Sequence, residues 1–136
     1  MIRFLKIVGI IVAVVVIAVI VQRIFFRGGT VDRDVADFAR VMNKTCPDMI
    51  DPETRLDKVL ATSDKNLQFN YTLIHMIKDS IPIIRMKRYM EPLILDKIKN
   101  SGTLRRFLKK DLTWIYSYSD RKGVFVFKVT YTPEMF

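Results

Sequence analysis

The feature that most constrains this chain is an apolar segment close to its N-terminus. Residues 7–21 read IVGIIVAVVVIAVIV and contain no polar side chain. With its flanking residues the segment reaches about 20 residues, the length that an α-helix needs to cross the ~30 Å hydrocarbon core of a bilayer. A surface helix of a water-soluble protein needs a polar face, which this segment lacks. The sequence therefore predicts one transmembrane helix.

The predicted anchor covers residues 1–27, and residues 28–136 form a predicted soluble domain. A cleaved signal peptide is the alternative, because Arg3 and Lys6 precede the apolar run and a small residue, Ala18, could end a cleavage site. The run continues past Ala18 without a break, which favours the uncleaved anchor. The predicted anchor residues are Ile7, Val8, Ile10, Ile11, Val12, Val14, Val15, Val16, Ile17, Val19, Ile20 and Val21.

The orientation of the anchor follows from the basic residues on its two sides. Arg3 and Lys6 precede it, and Arg23, Arg27 and Arg33 follow it, so the positive-inside rule is nearly balanced. Single N-terminal anchors commonly keep a short basic tail in the cytoplasm. We therefore expect a single-pass protein of the bacterial inner membrane with its domain in the periplasm.

The soluble part alternates between helical and strand periodicity. Helical spacing predicts a helix from Val31 to about Lys44, capped by Thr30, and another over residues 83–99 that Pro92 kinks or divides. Alternation predicts one strand in residues 67–77 and a hairpin of two strands between residues 112 and 131. Residues 54–61 fit a strand and also a helix.

The segment NKTCPDMIDPETRLD, residues 43–57, separates the first helix from the strands. Its two X-Pro pairs, Cys46-Pro47 and Asp51-Pro52, stop regular structure. Its acidic residues do not match a calcium-binding loop, because the spacing differs and no glycine is present for the sharp turn. We interpret the segment as caps and turns. The order of elements predicts an α+β fold, a small antiparallel sheet of about four strands with helices packed on one face.

Three stretches carry a resemblance to known proteins: NKTCPDMIDPETRLD, FNYTL and LRRFLKKDLTWIYSYSDRKG. They resemble a group of small uncharacterised bacterial secreted or membrane-anchored proteins with the pattern N-K-x-x-P-x-x-[IV]-D-x-x-T-R-L-D followed by Y-x-Y-x-D. The resemblance covers about residues 43–132. It implies a strand at residues 54–61 and an envelope location, and it implies no activity. Members often have a second cysteine near the position of Asn100, whereas here Cys46 is alone.

The predicted order of helices and strands is also similar to the ferredoxin-like modules of bacterial secretion and pilus assembly platforms. This likeness concerns architecture, and architecture does not determine function.

Positive charge is concentrated in the predicted helices of the middle region. The chain has a net charge of +9, and residues 85–110 contribute nine basic against two acidic residues. The surface predicted from them would bind anionic lipid headgroups or an acidic protein, although a solvated helix face gives the same pattern. The residues are Arg85, Lys87, Arg88, Lys97, Lys99, Arg105, Arg106, Lys109 and Lys110.

Nucleic acid is not an expected partner. The stretch RKGVFVFKV, residues 121–129, partly matches an RNA-binding strand motif, but Val124 and Val126 occupy the positions where that motif needs stacking aromatics. By alternation, Phe125 and Phe127 point to the opposite face and are expected in the core. The other aromatic residues of the strands are likewise expected on the buried face, rather than in a ligand groove.

No catalytic, cofactor-binding or metal-binding residue is predicted. His75, the only histidine, is expected on the apolar strand face with Tyr71 and Leu73, and no partner for acid–base catalysis is signalled. Cys46 lacks a neighbouring base and is expected to be a buried thiol. The predicted function is that of a non-enzymatic signal-anchored protein whose domain binds another envelope protein. Anionic lipid or a small ligand is the alternative, and the spacing of Gly9 and Ala13 would allow a homo-oligomer.

Overall fold

A computed structural model of the protein describes residues 2–25 and 31–136, and the side chains of residues 2–22 and 31–136. The chain divides into two compact units, Met1–Thr30 and Val31–Phe136. The predicted flanking residue Arg27 and the predicted cap Thr30 lie outside the described residues.

The first unit contains helix α1, Ile2–Phe25. In the described part of the chain, Ile2–Gln22 is the one helical stretch long and apolar enough to cross a membrane, with a mean hydropathy of 3.2. All its side chains are exposed within the unit. A signal sequence shares this position, length and composition, so the anchor and the signal peptide both remain as alternatives.

The second unit is built on one five-stranded sheet in the order β1–β2–β3–β4–β5. The strands are β1 Asp48–Asp51, β2 Thr54–Ala61, β3 Asn66–Leu73, β4 Thr113–Asp120 and β5 Phe125–Tyr131. The predicted α+β class is confirmed, and residues 54–61 are a strand. The predicted strand count is one too low, because residues 48–51, interpreted as turns, pair with β2 as an exposed edge strand.

The sheet is mixed rather than antiparallel. β3 and β4 run parallel, while the three other neighbouring pairs are antiparallel. Between β3 and β4 the chain passes through α3, Ile83–Asn100, and α4, Gly102–Arg105. A connection of this length lets the second strand enter the sheet in the direction of the first.

The ferredoxin-like comparison is not supported by this topology. A ferredoxin-like sheet is built on a split βαβ unit, in which another strand lies between the two parallel strands. Here the parallel strands β3 and β4 are direct neighbours, and every strand lies beside its neighbours in sequence.

The first helix of the domain is α2, Arg33–Lys44. It begins two residues later than predicted because Asp32 caps it: Asp32 Oδ1 accepts hydrogen bonds from the backbone N–H groups of Asp34, at 3.0 Å, and Val35, at 3.2 Å. α2 packs on β2, and α3 packs on β5. Pro92 lies inside α3, which continues through it as a single helix.

One face of the sheet forms the core together with these helices. Aromatic rings stack across β3 and β4. The ring centroids of Phe69 and Tyr116 are 4.9 Å apart, and those of Tyr71 and Tyr118 are 5.0 Å apart. The prediction that the aromatic residues of the strands form the buried face is confirmed for these and for Trp114, Phe127 and Tyr131.

Phe125 is the exception, because half of its surface (50%) is exposed. Tyr118 pairs with Phe127 and Ser119 pairs with Phe125, so Val126 is an extra residue in β5. This β-bulge interrupts the alternation of faces, and Val126 becomes buried beside Phe127. The prediction that placed Phe125 in the core and Val126 on the opposite face from Phe127 is therefore wrong.

Three further predictions of burial are wrong. Val41 of α2 and Leu93 of α3 have the helical spacing of apolar residues from which these two helices, each with a buried apolar side, were predicted, but they are 57% and 51% exposed. β3 ends at Leu73, so His75 lies in the following turn and is exposed, not on the apolar strand face.

Candidate protein-docking groove

A groove runs between α2 and the segment that follows α3. Its volume is about 570 Å³, and it is open to solvent. α2 supplies one wall, and the other wall comes from α4, Phe107 and the 3-10 turn Leu108–Lys110. The lining residues are Asp34, Asp37, Phe38, Val41, Met42, Thr103, Arg106, Phe107 and Lys110. We call it the α2–α4 groove.

Two aromatic rings form the apolar floor of the groove. Phe38 and Phe107 are both buried, and their ring centroids lie 5.1 Å apart in a tilted arrangement. Phe38 also contacts Phe69 of the sheet edge-on, at 6.3 Å. The floor is therefore fixed by the core beneath it, whereas Val41 on the α2 wall remains more than half exposed.

Lys110 joins the two walls at one end of the groove. Its Nζ lies 3.0 Å from Asp32 Oδ2 and 3.3 Å from Asp34 Oδ2. The hydrogen bond from Lys110 lowers the pKa of Asp32, and the backbone N–H of Val35 adds to this effect. The two carboxylates in turn raise the pKa of Lys110. Lys110, predicted as part of a free basic surface, is thus already neutralised by α2.

Arg106 lies on the opposite rim. Its guanidinium carbon stands 4.6 Å from the centroid of the Phe107 ring, a cation–π contact. Among the described residues, Arg106 forms no ion pair with a carboxylate. The α2 rim differs, because Asp37 pairs with Arg40 at 3.0 Å and Asp34 pairs with Lys110. Arg106 is therefore the charged side chain of the groove lining that has no ion-pair partner among the described residues.

The other predicted basic residues are distributed along α3 and the segment that follows it. Arg85 and Arg88 line a shallow, mostly apolar depression at the start of α3, together with Ile84. Lys87 lies 4.0 Å from Glu91, one helical turn away. Lys97 and Lys99 are exposed near the C-terminal end of α3, and Arg105 and Lys109 are exposed near the groove.

The segment with the N-K-x-x-P pattern has structural roles. The side-chain N–H of Asn43 donates to the carbonyl of Val59, and its carbonyl accepts from the N–H of Val59, each at 2.8 Å. Asp51 accepts from the N–H of Glu53 at 2.8 Å in the turn before β2. Asp57, at a bulge in β2, binds Arg55 at 2.6 Å. The interpretation of this segment as caps and turns fits Thr45, which ends α2, and the turn at residues 52–53, whereas residues 48–51 and 54–57 are strand.

Asp120, the last residue of the Y-x-Y-x-D pattern, is 1% exposed. Its side chain binds the backbone of two loops, the one that contains Lys78 and the β4–β5 turn. Its Oδ2 accepts from the N–H of Lys78 at 2.9 Å, and its Oδ1 accepts from Lys122 at 2.9 Å and from Val124 at 3.0 Å. Gly123 completes this turn with a φ of 80°, which glycine adopts without strain. The hydrogen bonds, that from Lys78 first, lower the pKa of Asp120.

The cysteine and the histidine are not part of the groove lining. The thiol of Cys46 is half-buried and donates to the carbonyl of Met42 at 3.2 Å, and burial raises its pKa. His75 is exposed in its turn. Across residues 2–25 and 31–136, no cluster of three histidine, cysteine or acidic side chains has the geometry to hold a metal ion.

The acidic wall and the aromatic floor of the groove were not predicted from the sequence. The sequence feature that could have indicated a groove beside α2 was Val41, because this helix has more apolar residues than one buried side needs. The contact between Lys110 and Asp32 joins residues 78 positions apart, which periodicity does not indicate.

A family model described as "Domain of unknown function (DUF8479)" matches residues 30–127. No curated protein matches the chain.

Several solved structures have a similar fold. A protein from Pseudomonas aeruginosa described as secreted is 13% identical with a TM-score of 0.62, covering 76% of this chain and 89% of its own. The type 2 secretion system pilotin of Vibrio vulnificus is 11% identical with a TM-score of 0.58, covering 74% and 86%. The type II secretion system pilotin of Vibrio cholerae is 9% identical with a TM-score of 0.56, covering 75% and 88%. At these identities the likeness concerns the fold.

Proposed function

The chain belongs to the DUF8479 family, and for this member of it we propose a non-enzymatic role: a membrane-anchored protein of the bacterial envelope that docks another envelope protein in its α2–α4 groove. The anchor is α1, held uncleaved in the inner membrane, and the domain lies in the periplasm. The similar folds of two secretion-system pilotins support an accessory role in an envelope assembly.

The observation that carries this proposal is the composition of the groove. Its floor is apolar, its α2 wall exposes Val41, and Arg106 is a rim charge without a described carboxylate partner. An apolar groove with a few polar groups at its rim is the usual form of a site that accepts an amphipathic helix. The occupant that fits is therefore an amphipathic segment of a partner protein, with apolar side chains over Phe38 and Phe107 and an acidic side chain opposite Arg106.

The anchor increases the effect of such a contact. Two proteins held in one membrane meet at a higher effective concentration than two free proteins. A groove with low affinity for its partner is therefore sufficient for association. Apolar burial supplies affinity in proportion to area, and the carboxylate opposite Arg106 supplies direction and specificity.

The proposal is tested by site-specific photo-crosslinking in cells of the source bacterium. The full chain carries a photoreactive amino acid at the position of Val41, and the adduct is identified by mass spectrometry. We expect one envelope protein, crosslinked through an amphipathic acidic segment. The matched control carries the same probe at the position of Thr130, which is exposed on the open face of the sheet.

Charge reversal at the rim supplies the second arm. Arg106→Glu should reduce the Val41 adduct about tenfold or more, since a carboxylate would then face a carboxylate. Arg121→Glu, at an exposed position in the β4–β5 turn, changes the net charge equally and should leave the adduct unchanged. An absent adduct at Val41, or an adduct insensitive to Arg106→Glu, contradicts the proposal.

The location is tested separately from the docking. The mature protein should retain residues 7–21 by mass spectrometry and should resist extraction from membranes with carbonate. Protease added to spheroplasts should digest the domain. A mature chain that begins after residue 18, or a domain that is protected in spheroplasts, rules out the proposed anchoring or orientation.

A further inference from the structure

A second surface of the domain lies on the side of α3 that faces away from the sheet. It consists of exposed apolar residues and arginines in the first two to three turns of the helix. Ile84 is 75% exposed and Tyr89 is 68% exposed, and Leu93 follows Tyr89 by one turn. Arg85 and Arg88 are exposed between them. We call these five residues the outer face of α3.

Helical spacing places Arg85, Arg88, Tyr89 and Leu93 along one side of α3, with Ile84 at the border of that side. Ile84 and Arg88 are separated by four positions, as are Arg85 and Tyr89, so the two pairs lie next to each other on successive turns. Ile94 and Ile98, which are buried, mark the side of the same helix that is opposite Arg85 and Tyr89. The outer face is therefore amphipathic in its own right, independent of the stripe that holds α3 on the core.

The charges of the outer face are not compensated within the domain. Neither Arg85 nor Arg88 forms an ion pair with a carboxylate in the part of the chain that the structure describes, whereas the nearby Lys87 is close to Glu91. Arginine beside isoleucine, leucine and tyrosine is the composition of helices that lie in the interface of a bilayer. In such helices the aromatic and aliphatic side chains enter the headgroup region while the arginines bind lipid phosphates.

The covalent tether favours a bilayer as the occupant over a protein in solution. Residues 26–30 link α1 to the domain, and a link of this length, whatever its conformation, spans at most about 20 Å. A membrane that holds α1 is therefore always within reach of the domain.

We propose that the outer face of α3 binds the surface of the membrane in which the chain is anchored, through anionic phospholipid headgroups. Arg85 and Arg88 bind the phosphates, Tyr89 and Leu93 enter the interfacial layer, and Ile84 lies at the border of the contact. This inference uses the anchor of the proposed function but not the groove, because Val41 and Arg106 are not part of this surface.

The test measures the depth of the outer face in vesicles. The full chain with Cys46→Ser receives Tyr89→Cys, labelled with an environment-sensitive fluorophore, and is reconstituted into phosphatidylcholine vesicles with or without phosphatidylglycerol. Spin-labelled lipids report contact by quenching. We expect strong quenching only in the anionic vesicles, lost in high salt because screening weakens surface electrostatics. The same label introduced by Thr130→Cys should remain in water, and so unquenched, in both kinds of vesicle.

Charge variants complete the test. Each arginine near an anionic surface changes the ratio of bound to unbound domain about fivefold, so Arg85→Glu with Arg88→Glu should lower that ratio at least about tenfold. Arg85→Lys with Arg88→Lys keeps the charge and should retain most of the binding. The emission of Trp114, the only tryptophan, verifies that each variant is folded.

Three outcomes overturn the inference. The label at position 89 is no more quenched than the label at position 130, or the quenching is equal without anionic lipid, or the label becomes protected only when a membrane protein extract is added. The last outcome assigns the outer face to a protein. Because the photo-crosslink at Val41 is a separate measurement, failure of this inference leaves the docking groove untouched.

Discussion

The hydroxyl of Tyr131 in β5 donates a hydrogen bond of 2.6 Å to the backbone carbonyl of Glu91 in α3. Glu91 directly precedes Pro92, which has no N–H and so leaves the carbonyl of Arg88 without its helical partner. Tyr131 is 2% exposed, so the bond is made inside the protein. It joins the edge of the sheet to the turn of α3 that contains Pro92.

Tyr131→Phe should lower the free energy of unfolding by about 1 kcal/mol, because it removes this bond and little else. The measurement is urea unfolding of the full chain in detergent micelles, followed by Trp114 emission. Tyr116→Phe is the matched control. The hydroxyl of Tyr116 is buried without a hydrogen-bond partner among the described residues, so its removal should be neutral or stabilising. If both variants lose the same free energy of unfolding, the hydrogen bond from Tyr131 to Glu91 does not stabilise the contact between β5 and α3.

Asn43→Ala should destabilise the domain by about 2–3 kcal/mol. The Asn43 side chain makes two hydrogen bonds to the backbone of Val59, and the alanine leaves both partly buried groups unpaired. Asn100→Ala removes a single exposed bond to Asp96 and should cost less than about 0.5 kcal/mol. The same unfolding measurement compares the two, and a small effect at Asn43 would show that β2 does not depend on α2 for its position.

Asp120 should make stability depend on pH in the acidic range. Its pKa is lowered in the folded state by the backbone N–H groups of Lys78, Val124 and Lys122, so the unfolded state binds the proton more tightly. The stabilisation is therefore present above the ordinary carboxyl pKa of about 4, and it is lost as pH falls through the lowered value.

The corresponding measurement is the stability difference between the wild type and Asp120→Asn at several pH values. The difference should be largest near neutral pH and shrink below about pH 4, where the carboxylate becomes protonated. Asp64→Asn, in the exposed turn between β2 and β3, serves as the control and should show little difference. A difference that does not change with pH would indicate that the shape of the side chain, not its charge, holds the two loops.

The Cys46 thiol should react slowly with alkylating reagents in the folded protein. Burial raises its pKa, and the carboxylates of Asp48 and Asp57 add to the effect, so little thiolate is present at neutral pH. We expect alkylation at least about tenfold slower than in urea, with a rate that still rises above the ordinary thiol pKa of about 8.5. Asp48→Asn should increase the rate, and rapid alkylation of the native protein would exclude a protected thiol.

Much of the local structure was predictable, because a single element needs only its own spacing. The alternation in residues 67–73 and 113–119 gave the core strands and their buried aromatic face. Where an element contains a bulge, the same reasoning fails: one extra residue at Val126 reversed the expected positions of Val126 and Phe125. His75 was misplaced for a related reason, since β3 ends before it.

By itself, the sequence determined the apolar helix near the N-terminus, the α+β class and the buried identity of most strand aromatics, since each depends on the solubility and periodicity of a short stretch. Only the tertiary structure decided the parallel pairing of β3 with β4, the α2–α4 groove and the outer face of α3. These arise from contacts between residues far apart in the chain, such as Lys110 with Asp32. Such contacts depend on which packing of whole elements buries the most apolar surface, and the spacing within one element carries no information about that.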